Sequence, residues 1–503
     1  MGQIKVGVSL SYLKLIVSFL MSILITPIIL ELLGVEEYGL YNLIASLVAY
    51  LEVLNFGLGT AYIRYFSKYH AKNDHDSIAK LNGMFIVIFC VLSMIALIIG
   101  LGMFLNLTEI VGEHLTLKYL DIAKKLMLLM IFNMVISFPM SVINSHITAH
   151  EKFVFQNVIK LISALVRPLV SLLILLNGFN SVGMVIGATV LGIIVHLISI
   201  YYSLFKLHMK FRFTNFNAKL FKEIAHFSAF VFLGLIVVQI NWNIDKFLLG
   251  RFVGLASVGI YTVGANLATY YVSFSQMLSN AFVPRVNKLV ASGASDFELT
   301  KVMTRVARIQ FFILSYILLG FTFLGRNFVL LWVGDVYINA YYVAVILMIS
   351  MFISSIQRVG VTIQQAKNKH QFRSIMYFFI ALGNLAISIP LCIKYGVVGC
   401  AVGTMVSTIL GNVVVMNIYY IKTIKLDMGY FWKEILQLIP ILILPILGGV
   451  LMAYMFSMES YFQLFLQIIL FSFIYFTSIW FIGLKRAERN ELTGKLKSKI
   501  LKL

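Results

Sequence analysis

Long apolar runs, separated by short polar segments, occupy the chain from end to end. A transmembrane helix needs roughly 20 mostly apolar residues. By that measure the pattern predicts fourteen spans, at 10–30, 40–62, 83–105, 120–142, 154–176, 182–204, 227–249, 258–282, 309–330, 340–362, 374–393, 397–419, 435–456 and 461–483. The segments between the spans are too short for a separate soluble domain. We therefore predict an all-α polytopic membrane protein.

Composition agrees with that prediction and changes the meaning of the net charge. The 503 residues are 60% hydrophobic and 12% charged, whereas soluble chains carry about 25% charged residues. The formal net charge is +20. In a soluble protein such an excess would indicate nucleic-acid binding. In a membrane protein it first reports orientation, so we predict membrane lipids and no nucleic acid as partners.

The basic residues are strongly asymmetric between the two sides of the predicted spans. With the N-terminus in the cytoplasm, 31 Lys and Arg lie on the cytoplasmic side, and five lie within spans or at their edges. The outer side holds only Lys118, Arg251, Arg326 and Lys394. Cytoplasmic loops carry the excess of positive charge, so both termini are predicted to be cytoplasmic.

Short matching segments indicate an internal duplication. Gly39–Tyr41 matches Gly259–Tyr261 at an offset of 220 residues, and Val182–Gly187 matches Val398–Gly403 at an offset of 216. We predict two pseudo-repeated six-helix lobes, related by an axis along the membrane normal, plus two C-terminal helices. The predicted organisation is an N-lobe at 1–205, a basic cytoplasmic linker at 206–226, a C-lobe at 227–421, two further spans at 422–484 and a basic cytoplasmic tail at 485–503.

Charged residues inside the spans are the candidates for function, because each costs about 2.5–3.5 kcal/mol to insert. Arginine binds phosphate oxygens with two parallel hydrogen bonds, so a basic cavity between the lobes would suit an anionic headgroup. Glu52 and Asp245 are the carboxylates within spans and are predicted to couple transport to an ion. The predicted substrate-binding residues are Lys14, Arg64, Arg167, Asn241, Asn243, Lys246, Arg305, Arg308 and Arg358.

Each candidate also has a structural alternative. Arg167 could form a buried pair with Glu52, and Asp245 could pair with Lys246 near the outer surface. The arginines at the cytoplasmic ends of spans, Arg64, Arg305, Arg308 and Arg358, could instead extend to the membrane interface. The chain contains no GxxxxGK[ST] motif, so no P-loop ATPase is expected. Net transport would then draw on an ion gradient such as that of protons or sodium, on a substrate gradient or on downstream consumption, with no bound cofactor.

Several segments resemble the polysaccharide flippases of the multidrug/oligosaccharidyl-lipid/polysaccharide exporter superfamily. The similar segments are Leu33–Tyr41, Leu54–Gly59, Asn241–Gly250 and Val258–Tyr261, together with Pro27, Arg64 and Tyr65. The resemblance implies a V-shaped bundle of two lobes with a cationic central cavity. It also implies transfer of an oligosaccharide linked to undecaprenyl diphosphate from the cytoplasmic to the outer leaflet, often coupled to protons or sodium. Asp245, Lys246 and Arg167 are the candidates within that cavity.

We therefore expect a non-enzymatic flippase of the bacterial inner membrane, serving O-antigen, capsule or similar polysaccharide synthesis. A glycan polymerase and chain-length machinery are expected partners. Three alternatives remain: a lipid II flippase, a cation-coupled multidrug exporter of the same superfamily, and a membrane glycan polymerase or glycosyltransferase. A cationic cavity disfavours export of cationic drugs, and the short outer loops disfavour an enzyme.

Overall fold

The protein is helical throughout the part that the structure describes. The computed structural model describes residues 2–112, 116–214, 218–369, 371–455, 460–484 and 489, and no β-strand occurs in them. Except for Arg489, the predicted tail at 485–503 lies outside the described residues. Among the described residues, ten helical segments are long and apolar enough to cross a membrane. The prediction of an all-α polytopic protein is confirmed, and the count of fourteen spans stays a prediction.

The described residues between 2 and 280 form nine α-helices. They are α1 (Gly2–Leu51), α2 (Leu58–His70), α3 (His75–Leu105), α4 (Leu107–Val111), α5 (Leu117–Ala149), α6 (Phe153–Leu176), α7 (Ser181–Tyr201), α8 (Ala218–Phe252) and α9 (Leu255–Asn280). A short 3-10 helix, Glu52–Asn55, lies between α1 and α2. A π-helical turn, Tyr202–Lys206, follows α7.

The second half of the described chain continues with nine more. They are α10 (Val283–Ala291), α11 (Asp296–Val333), α12 (Ile338–Ile356), α13 (Arg358–Ala366), α14 (Gln371–Thr408), α15 (Met416–Tyr419), α16 (Met428–Leu436), α17 (Ile443–Met455) and α18 (Tyr461–Ser478). Shorter 3-10 and π-helical turns occupy Asp335–Tyr337, Ile409–Val415, Tyr420–Ile424, Ile439–Leu442 and Ile479–Gly483.

Two predicted loops between spans are sharp kinks within otherwise continuous helices. Gly34 in α1 has φ 75°, and Gly396 in α14 has φ 59°. Glycine adopts positive φ without steric penalty, so the chain can reverse there without a longer loop. The helical segments that contain these kinks, Ser9–His70 and Ile375–Ile424, have 62 and 50 residues. Each is long enough to contain two spans of roughly 20 residues.

The described chain divides into two compact units. Unit 1 comprises 1–262 and 377–400, and unit 2 comprises 263–376 and 401–503. In unit 1, α1 packs along α6, and α3 packs against α5. In unit 2, α11 packs against α12, α16, α17 and α18. Burial of Leu324, Met452 and Phe471 forms part of a core there, and the hydroxyl of the buried Tyr475 lies 2.7 Å from Ser315 Oγ.

The repeated segment found in the sequence contacts its own copy inside unit 1. A Cβ on Gly39 would lie 1.9 Å from the carbonyl oxygen of Leu255, and a Cβ on Gly259 would lie 2.6 Å from that of Val35. Val35 and Leu255 are separated by the same offset of 220 residues as the two glycines. Each copy therefore makes the same contact on the other, as self-complementary two-fold contacts do. The division into two duplicated six-helix lobes stays a prediction.

Candidate functional site

Helix α6 has a lipid-facing side and an opposite polar side. Its exposed aliphatic residues Ile162, Leu165, Leu169 and Leu173 recur every three or four positions. The polar residues recur with the same period, at Gln156, Lys160, Ser163, Arg167 and Ser171. At 3.6 residues per turn the two series lie roughly 180° apart around the helix. We call the second series the α6 polar stripe.

Two cations of the α6 polar stripe are exposed although they lie in a membrane-spanning segment. Lys160 and Arg167 are both exposed, and they are two helical turns apart. Charged side chains within a bilayer nearly always face the protein interior or a water-filled space. Because the lipid face of α6 is on the other side, these two cations must face such a space.

Helix α1, which packs along α6, repeats the same arrangement. Its polar stripe consists of Ser11, Lys14, Ser18, Ser22 and Thr26, opposite the exposed Leu13, Ile16, Leu20 and Leu24. The two helices approach closely at Gly7, where a Cβ would lie 2.9 Å from Cβ of Phe153. Asn157 Nδ2 donates a hydrogen bond of 3.0 Å to the Gly7 carbonyl. The charges of Lys14 and Lys160 are close enough to interact.

Arg167 is held near α7 rather than near the carboxylate that the sequence suggested. Its Nη2 atom lies 3.9 Å from the position that a Cβ on Gly192 would take. Its charge also interacts with Tyr41 and His196. No ion pair joins Arg167 to Glu52 in the described structure, so the alternative of a buried pair is wrong. Lys14, Lys160 and Arg167 together give the α1 and α6 stripes three positive charges.

Glu52 lies at an interruption in the second predicted span. Helix α1 ends at Leu51, the 3-10 turn follows, and Phe56 and Gly57 have φ of 50° and 63°. Span 40–62 is therefore a discontinuous helix rather than the continuous one that the apolar pattern predicted. The positive φ at Phe56 and Gly57 explains the interruption, because a left-handed backbone cannot continue a right-handed helix.

Asp245 is buried within a network of its own. Its carboxylate accepts a short hydrogen bond from the Tyr261 hydroxyl, and its charge interacts with the half-buried Lys246. The thiol of Cys400 lies 3.8 Å from the Asp245 carbonyl oxygen. Asn243 donates a hydrogen bond of 2.6 Å to Gln239. The side chain of Asn241 lies outside the described residues.

The remaining predicted cations are distributed over both units. Arg64 is exposed on α2 in unit 1. In unit 2, Arg305 is exposed on α11, and Arg358 is half-buried at the start of α13. Arg308 is buried and forms an ion pair of 3.3 Å with Glu434. Thus Arg308 has a partner within its own unit.

Lys160 is the functional candidate that sequence reasoning did not select. In the sequence it is one of the five basic residues that lie within spans or at their edges. The signal was present in the spacing of Gln156, Lys160, Ser163 and Arg167, which places all four on one helical face. The opposite lipid face of α6, which the structure identifies from exposure, makes that spacing informative.

Comparison with known proteins assigns the family. The family model described as polysaccharide biosynthesis protein matches residues 5–290, more than half of the chain. The chain belongs to the polysaccharide biosynthesis protein family. A Shigella flexneri protein described as a candidate O-antigen transporter is 23% identical over 397 residues, which cover 77% of this chain and 90% of the relative.

Solved structures share the fold of this polysaccharide biosynthesis protein. The lipid II flippase MurJ superposes with a TM-score of 0.67 at 15% identity, covering 94% of this chain and 97% of that one. An inward-facing multidrug resistance transporter of the MATE family gives 0.64 at 13% identity, covering 81% and 95%. At such identities the likeness shows the fold alone. The stripes of α1 and α6 both lie inside the region that the family model matches.

Proposed function

We propose that the protein moves an oligosaccharide repeat unit, linked to a polyprenyl diphosphate, from the cytoplasmic to the outer leaflet of the inner membrane. The product would serve O-antigen, capsule or exopolysaccharide synthesis. Family membership, the O-antigen transporter relative and the fold shared with a lipid II flippase support this function. Each of those proteins is named for polysaccharide biosynthesis or for transport of a glycan or its lipid carrier.

The observation that carries the proposal is the position of the cations on α6. Lys160 and Arg167 are exposed on the face opposite the lipid-facing leucines, beside Lys14 on α1. The diphosphate is the part of the proposed substrate that is charged whichever glycan it carries, and it is anionic. Guanidinium and ammonium groups bind phosphate oxygens through charge-assisted hydrogen bonds, which are roughly twice as strong as neutral ones.

The spacing of these cations suggests a path for the diphosphate. Lys160 lies nearer the predicted cytoplasmic end of α6, and Arg167 lies about 10 Å further along the helix. The headgroup would be captured by Lys14 and Lys160 and then transferred to Arg167, while the polyprenyl tail stays in the lipid. Alternating access would then expose the headgroup to the other leaflet. Asp245 and Glu52 stay the predicted ion-coupling residues.

The rival substrates differ in charge or in glycan. A cationic drug would be repelled by three positive charges on one pair of stripes. Lipid II carries the same diphosphate, so the α6 stripe would bind it equally well. Cells lacking the gene therefore provide the distinction, because loss of lipid II transport stops wall synthesis, whereas loss of a repeat-unit flippase removes only surface polysaccharide.

The test is replacement of Arg167 in cells whose chromosomal copy has been deleted. Arg167→Ala should lower surface polysaccharide at least tenfold at unchanged protein level, and Arg167→Lys should retain part of it. Lys124→Ala is the matched control, because Lys124 is an exposed lysine on α5 outside both stripes. Surface polysaccharide is measured by immunoblot, and protein level by an epitope tag. Normal polysaccharide from Arg167→Ala would refute the role of the stripe.

A further inference from the structure

A cavity of about 560 Å³ opens inside unit 1, at the interruption of the second span. Its walls come from the 3-10 turn after α1 and from α2, α5 and α8. The volume lies within the roughly 300–1,000 Å³ that is typical of small-molecule sites. No residue of the α1 and α6 polar stripes lines it.

The interrupted helix is the first reason to regard this cavity as a binding site. Non-helical backbone at membrane depth is tolerated only where it is buried in protein or lines a water-filled cavity. The backbone of Glu52–Gly57 forms one wall here. Gly59 permits the opposite wall to approach, because a Cβ there would lie 2.9 Å from Ser145 Oγ. Discontinuous helices form the substrate sites of many secondary transporters.

The chemistry of the lining is the second reason. The polar lining groups include the amides of Asn55, Asn144 and Gln239, the hydroxyl of Ser141 and the carboxylate of Glu52. Asn55 Nδ2 lies 3.5 Å from Ser141 Oγ. In the described part of unit 1, the side chains of Glu52 and Asn144 form no hydrogen bond with the protein; the bonds at Asn144 go to its backbone carbonyl. Polar groups are costly in a membrane, so their accumulation around one space indicates a polar ligand.

The lining also restricts the charge of that ligand. Among the described residues that line the cavity, Glu52 is the one ionisable residue, and no Lys, Arg or His takes part. A diphosphate would therefore be repelled by Glu52 and would find no cation. Nine of the fourteen described lining residues carry a hydroxyl group, an amide or no side chain, and Phe138 is the one aromatic residue among them, so an apolar drug would leave several polar groups unpaired. Neutral hydroxyl groups, in contrast, can donate to a carboxylate and both donate to and accept from amides.

We propose that this cavity binds a neutral sugar residue of the transported glycan, with Glu52 and Asn144 hydrogen-bonded to its hydroxyl groups. The inference rests on the proposed function, because it divides the substrate into two parts. The diphosphate binds the cationic stripes, and the sugar binds the cavity. A site built to hydrogen-bond hydroxyls rejects ligands that lack them, so the cavity would select among glycans.

The experiment measures protection of a cysteine placed at the rim of the cavity. Thr60 is exposed there, and its hydroxyl donates a hydrogen bond to the Gly57 carbonyl. The purified full-length Thr60→Cys protein in a Cys90→Ser background is labelled with maleimide in detergent. Three probes are tested: the oligosaccharide released from the host's own surface polysaccharide, undecaprenyl diphosphate without sugar, and sodium ions. Sodium chloride is compared with choline chloride at the same concentration. Native Cys90, which is exposed on α3 outside the cavity, serves as the control reporter in the unmodified protein.

The oligosaccharide should slow labelling at position 60 at least threefold and leave labelling of Cys90 unchanged. Asn144→Leu and, separately, Ser141→Ala should reduce that protection, and gel filtration checks that both variants fold. Absence of protection by the oligosaccharide would overturn the proposal. Equal protection by undecaprenyl diphosphate would assign the cavity to the headgroup, and equal protection by sodium would assign it to the ion coupling that the sequence predicts for Glu52. Either result also overturns the proposal. Failure of the flippase proposal is seen separately, as normal surface polysaccharide from Arg167→Ala.

Discussion

The close contact between the repeated glycines gives a prediction whose size follows from the structure. In Gly39→Ala the new Cβ would lie 1.9 Å from the Leu255 carbonyl oxygen. An ordinary contact begins at 3.4 Å, so the two helices must separate by about 1.5 Å at this point. The obstacle is backbone, which cannot rotate away as a flexible side chain can. Overpacking of a core costs typically 1–3 kcal/mol, and we expect the upper part of that range.

The matched control is Gly102→Ala in α3, where nothing lies within 4 Å of the added Cβ. Alanine is favoured over glycine in a helix by about 1 kcal/mol, so this control should leave the protein unchanged or more stable. A loss of about 2–3 kcal/mol corresponds to a fall in Tm of roughly 4–12 °C for a large domain. Thermal melting of purified protein in detergent, followed by gel filtration with fluorescence detection, measures both variants.

The reciprocal contact provides a second check on the same reasoning. Gly259→Ala should also lower Tm, because its Cβ would lie 2.6 Å from the Val35 carbonyl oxygen. The double variant should cost less than the sum of the two, because one separation of the helices relieves both contacts. Equal Tm values for Gly39→Ala and Gly102→Ala would show that the helices are not packed this closely.

Two further predictions concern ionic contacts. Glu434→Gln should lower Tm, because it removes the ion pair of the buried Arg308. Breaking a buried ion pair costs about 3–5 kcal/mol. The control is Lys125→Gln, which breaks an exposed ion pair, and an equal Tm for the two variants would contradict the prediction. Asp74 begins α3, and its hydrogen bonds from the side chain and backbone of Ser77 lower the pKa of its carboxyl group. A carboxyl group whose pKa is lowered in the folded protein stabilises the fold fully at pH values above the ordinary aspartate pKa. That stabilisation is lost as the pH falls through the lowered pKa. Melting between pH 7 and 3 should therefore be less pH-dependent in Asp74→Asn, which keeps the cap; an unchanged pH dependence would exclude this role.

Much of the fold was determined by the order of apolar residues. Transmembrane segments can be recognised from local sequence, because the bilayer requires a certain length and apolarity of each helix independently of its neighbours. The sequence also predicts a duplication, since Gly39–Tyr41 and Gly259–Tyr261 match. The interruption at Phe56 and Gly57 was not predicted, because the surrounding residues are apolar enough to continue a span. The structure explains this non-helical backbone, because it lines a cavity together with polar groups of α5.

For the site, the sequence by itself identified the positions of the charges, and the tertiary structure decided their roles. Arg167 and Arg308 both occur in apolar stretches of the sequence. In the structure, however, Arg308 forms an ion pair with Glu434, whereas Arg167 is exposed on a polar stripe. The physical reason is that the cost of a charge in the membrane depends on its partners. Those partners come from helices more than a hundred residues away in the chain. Local sequence therefore shows that a charge is present, and only the packed helices show whether it is neutralised by the protein or left to bind a ligand.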